Sequence, residues 1–161
     1  MEAHSIGGND KHVNASKDIP DGNDRNLVRF MEEAIPEDHQ AALLIRQVIT
    51  FTATYDHIVD EDEYTTDQVH IMVNVLLHGM PLNGFYVKYL AVLLPIILNA
   101  IHAWRYADTC PEYRIKVSDV LSELGCSMLY LSGGMSRLNE HGNHWRDLTI
   151  NLLKESDKRG K

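Results

Sequence analysis

The chain has 161 residues and 18.3 kDa, enough for one domain and too short for two of ordinary size. Apolar residues make up 44% and charged residues 24%, the balance of a chain able to bury a core. With 15 Lys plus Arg against 23 Asp plus Glu the net charge is −8, which excludes a general binder of nucleic acid or of anionic membranes, because phosphate neutralisation needs clustered cations.

Residues 1–23 are rich in Gly, Asn, Asp and Ser with only scattered apolar positions, so they read as a flexible arm that cannot offset its own ordering entropy. The opening MEAHSIGGND lacks the basic-then-apolar pattern of a signal peptide. Two cysteines, Cys110 and Cys126, do not make a disulfide framework, and the expectation is a reducing, cytoplasmic setting.

From 24 to about 158 the apolar period is helical throughout, which predicts an all-α, single-domain bundle of five or six helices. Asp24 can cap a short helix reaching Ala34. Pro36 suits a first helical turn and predicts a long helix to about Asp60, with Ala41, Leu44, Val48, Phe51, Tyr55 and Ile58 on one stripe. After the turn EDEYTTD, in which Thr65 or Thr66 offers an N-cap, a helix over 67–78 carries Val69, Met72, Val73, Leu76 and Met80 on one side. The run HGMPLNG ends it, and Asn83 can cap the next helix.

The segment 84–108 predicts a long helix, apolar nearly all round and therefore central in the domain, with a kink at Pro95 or a break near Asn99. Its most apolar run, Leu90 to Leu98, falls far short of the roughly 20 residues of a bilayer span. A further helix from about Pro111 to Ser132 places Leu121, Leu124, Met128 and Leu131 inward. In it Gly125, Cys126 and Ser127 are small enough for close approach of a neighbour. Gly133 and Gly134 terminate it, and a last helix from about Ser136 carries Leu138, Trp145, Leu148 and Leu152.

Among polar constellations, Asp56 and Asp60 sit four apart at the end of a long helix and stack on one face. Paired carboxylates at that spacing suit a hard divalent cation, Mg or Mn. The structural reading is a solvated acidic helix end, although carboxylates are electrostatically misplaced at the negative end of a helix dipole. His102 shares a stripe with Asn99 and Tyr106 and could serve beside the acidic pair as ligand or general acid–base. Its structural reading is a buried hydrogen-bond network that fixes helix register. His141 and His144 have the spacing of a zinc pair but no evident third ligand, and His70, Asn74 and His78 read as an exposed polar face.

No phosphate loop, nucleophile elbow or HExxH is present, and Asp38-His39 and Asp56-His57 reverse the His-Asp doublet of the helical metal phosphohydrolases. Two functions are expected on these grounds. One is a protein that acts through a protein partner or a homo-oligomer, without nucleic acid or membrane. The other is a divalent-metal-dependent hydrolase, of a phosphoester for example, with Asp56 and Asp60 on the metal, a cation-activated water as nucleophile and His102 as the assisting catalytic residue.

Overall fold

The computed structural model describes residues 23–60, 64–110 and 114–159, and the 1–22 part of the expected arm lies outside them. All regular structure among the described residues is helical. The order is α1 (Asn23–Ala34), α2 (His39–Asp60), α3 (Thr66–Asn74), a π-helical turn (Val75–Gly79), the short α4 (Met80–Leu82) and α5 (Gly84–Lys88), α6 (Leu90–Thr109) and α7 (Arg114–Arg159). The expected all-α bundle is therefore what forms.

α1 buries Leu27, Phe30, Met31 and Ala34, spaced to form one stripe, and packs between α2 and α7. Pro36 does not open α2. It follows Ile35 in a turn closed by the Asp38 N–H on the Ile35 carbonyl at 3.2 Å, where a fixed φ favours proline at the second position. The Asp38 carboxylate then accepts from the Gln40 N–H at 3.0 Å, so the helix starts three residues late, at a proper acidic cap. Along α2 the predicted stripe is buried from Ala41 to Phe51, with Ile45 beside it.

Thr65 caps α3 through a complete capping box with Gln68. The helical path does not stop at His78 but widens into the π turn, in which the Met80 N–H donates to the Val75 carbonyl five residues back. Pro81 explains the widening: its ring would clash with the carbonyl four residues earlier in an α-helix, and the wider register relieves it. Gly79 permits it, since a Cβ there would lie 2.8 Å from Gln47 Nε2 on α2.

Asn83 is buried and joins three segments. Its Oδ1 caps α5 by accepting from the Tyr86 N–H at 2.9 Å, and its Nδ2 donates to the Gln40 carbonyl at 2.9 Å and to Gln47 Oε1 at 3.3 Å. The long helix expected over 84–108 is broken at Tyr89, not at Pro95 or Asn99. The Tyr89 backbone leaves helical geometry (φ −115, ψ 22) while its hydroxyl donates to the Leu131 carbonyl on α7 at 3.0 Å. Pro95 sits inside α6 on the exposed side, where a missing N–H is well tolerated.

α7 folds back on itself. Gly134 has φ 66 and ψ −158, a conformation that glycine alone adopts without strain. The two arms pair closely: Trp145 Nε1–H donates to the Leu121 carbonyl at 3.2 Å, the hydroxyls of Ser122 and Thr149 hydrogen-bond to each other, and Cys126 faces Gly142. The Trp145 ring lies on Gly125, where a Cβ would come within 2.0 Å of the indole. Gly125→Ala must therefore displace the whole ring and should cost about 3 kcal/mol or more, lowering Tm by roughly 6–12 °C. Gly142→Ala meets only the movable Leu138 Cδ1 at 3.0 Å, so it should change stability by no more than about 1 kcal/mol. Parallel thermal melts of the two variants check the difference.

Candidate functional site

The three residues expected at a metal site occupy two helices. Asp56 and Asp60 lie in the last turns of α2, and their side chains are outside the described ones. Upstream on the same flank Ile45 is buried and Ile49 half-buried, while Thr52 donates its hydroxyl to the Ile49 carbonyl at 3.1 Å. His102 lies on α6, which packs chiefly on α7.

His102 is exposed, together with Asn99 and Tyr106, so this stripe is not the buried register-fixing network that an apolar helix suggested. Among the described residues no three His, Cys, Asp or Glu side chains converge as a metal site. His70, Asn74 and His78 are exposed or half-exposed along the expected polar face. His141 and His144 instead pack their rings on Phe30, at centroid distances of 6.1 and 5.0 Å, and His141 Nε2 lies 3.7 Å from Glu140 Oε1.

The charged groups with displaced ionisation are structural. Arg137 hydrogen-bonds Glu37 and holds its carboxyl below the usual range, tying α7 to the turn before α2. This contribution is present above the ordinary carboxylate pKa and is lost as the pH falls through the lowered one. Burial pushes the Cys126 thiol up against an opposing effect of Arg146. Cys126 is thus a packing residue, and thiol titration of the native chain should show fast reaction of half-buried Cys110 and reaction of Cys126 only on unfolding. Two equally fast thiols would show that the α7 hairpin opens readily.

The main departure from the sequence reading is apolar. α6 is not the central helix: it buries Leu93 and Ile97 but exposes Leu90, Val92, Leu94 and Leu98. The π turn and α4 expose Leu77 at 76% and Leu82 at 68%, and α3 has no buried residue. Nine valines and leucines between Val73 and Leu98 stand out in this way. Helical periodicity reports only that apolar residues share a face, so Val73, Leu76 and the apolar surround of α6 read as core. The available signal was charge, because Lys88 is the one Asp, Glu, Lys or Arg between Gln68 and Trp104.

No family model, curated protein or solved structure matches the chain. No helix among the described residues is long and apolar enough to cross a membrane. The hydrolase expectation has a direct check: it requires that millimolar Mg²⁺ or Mn²⁺ raise the Tm, by about 2.7 kcal/mol of stability at a hundredfold excess over Kd. It also requires the rise to vanish in Asp56→Ala/Asp60→Ala, and an unmoved wild-type melt removes the reading.

Proposed function

We propose that the protein is a helical binding module that acts by docking another polypeptide on the apolar surface between Val73 and Leu98. The observation that supports this is the exposure of large aliphatic side chains on the π turn, α4, α5 and α6, against an otherwise ordinary buried core formed by α1, α2, α5, α6 and α7 with Met80 of α4. Burial of such side chains is worth about 25 cal/mol per Å² removed from water, so leaving nine exposed forgoes stabilisation that a partner would supply. The π turn supports the same reading. It is the least economical helical geometry, and it carries Leu76 and Leu77 outward.

Site-specific photocrosslinking in cells making the protein tests the reading. A benzophenone amino acid at Leu77 or Leu98 should give discrete protein adducts, whereas one at exposed Glu32 on α1 should give none. Absence of any discrete adduct at both apolar positions would overturn it.

A further inference from the structure

Among the described helical elements, only α3 and the π turn have no buried residue. Burial begins abruptly one position later, at Met80, and continues at Asn83, Phe85 and Tyr86. Val69, Ile71 and Met72 are half-buried outside the main core, against which Val75 packs. A nine-residue helix has little stability of its own, since isolated helices below roughly 12–15 residues are marginal in water. The capping box of Thr65 and Gln68 is internal to the segment, so it steadies α3 without fastening it to the bundle.

The junction with the fixed part is equally sharp. Asn83 is tied to Gln40 and Gln47 of α2, whereas Pro81 has no N–H and leaves a gap in the helical hydrogen-bond ladder between the π turn and α4. A segment with little buried surface, joined to a buried one across such a gap, has the properties of a unit that opens at a cost below global unfolding. We propose that α3 and the π turn form a strap that swings off α2 about the Gly79–Asn83 junction while the rest of the bundle stays folded, and that Phe51 is the residue it covers.

Phe51 is buried yet outside the main core cluster, and it stacks on Tyr55 at 5.9 Å. α3 and the π turn pack on α2, with Gly79 against the end of the Gln47 side chain. α3 follows α2 closely in the chain and runs back along it. Val75, four residues before Gly79, therefore comes level with Phe51, four residues after Gln47. Opening exposes this aromatic pair and carries Val73, Leu76 and Leu77 away from Leu82, Val87 and the leucines of α6. The strap thus sets whether the exposed apolar surface is continuous. Its opening needs no partner and is independent of whether anything docks there.

Native-state hydrogen exchange of the full chain, followed by mass spectrometry, is the test. Relative to their unfolded-chain rates, the amides of 66–79 should exchange together and at least about 100-fold faster than those of 121–131 and 143–149 in the α7 hairpin. Low urea should accelerate the hairpin amides steeply and leave 66–79 nearly unchanged, because local opening uncovers little surface. Gly125→Ala weakens the closed and the strap-open chain alike, so it should speed the hairpin amides about 100-fold and the strap amides less than about threefold. In a Phe51→Cys/Cys110→Ser chain the introduced thiol should react at least about tenfold sooner than buried Cys126. Strap amides as protected as the hairpin, or following it in urea or through Gly125→Ala, overturn the proposal, since the segment then opens only with the whole domain. An introduced thiol no faster than Cys126 overturns it as well, since Phe51 is then not what the strap covers.

Discussion

The contact on which the rest of the structure depends is the Trp145 ring laid on Gly125. The largest fully buried side chain among the described residues is accommodated there because the facing position has no side chain, and the indole N–H is satisfied by the Leu121 carbonyl. That contact fixes how closely the two arms of α7 approach, and Gly134 makes the reversal between them possible. Phe30 packs on Trp145 at 5.7 Å, so the seat of α1 is set by the hairpin. α2 then packs on α1, and Asn83 holds the α4–α5 junction to α2 through Gln40 and Gln47. Each step is a close steric fit or a satisfied buried polar group, and neither tolerates sliding.

The exposed leucines result from the same constraints. A π turn holds more residues per revolution than an α-helix, so every side chain beyond its start is rotated relative to the α3 stripe. Met80 is carried inward by that rotation while Leu76, Leu77 and Leu82 remain outside. The register is held at both ends of the segment. Gly79 lies against the end of the Gln47 side chain, and the Asn83 amide reaches the Gln40 carbonyl. α6 is confined by Tyr89, whose hydroxyl is anchored to Leu131, and so presents only its Leu93–Ile97 side to the bundle.

Local chemistry is legible in the sequence, and tertiary choice is not. The Asn83 cap, the Gly134 stop and the small Gly125–Cys126 surface are all readable, because each rests on a property of one residue type. The start of α2 shows the limit: Pro36 fits a first helical turn and a β-turn equally well, and the Asp38 carboxylate decides between them. The break at Tyr89 is invisible, since it depends on a carbonyl 42 residues away. Of the polar residues, His70, Asn74 and His78 are recognisable as a surface stripe, whereas His102 is assigned to the interior because its helix is apolar. Composition of a helix does not say how many of its faces find a neighbour.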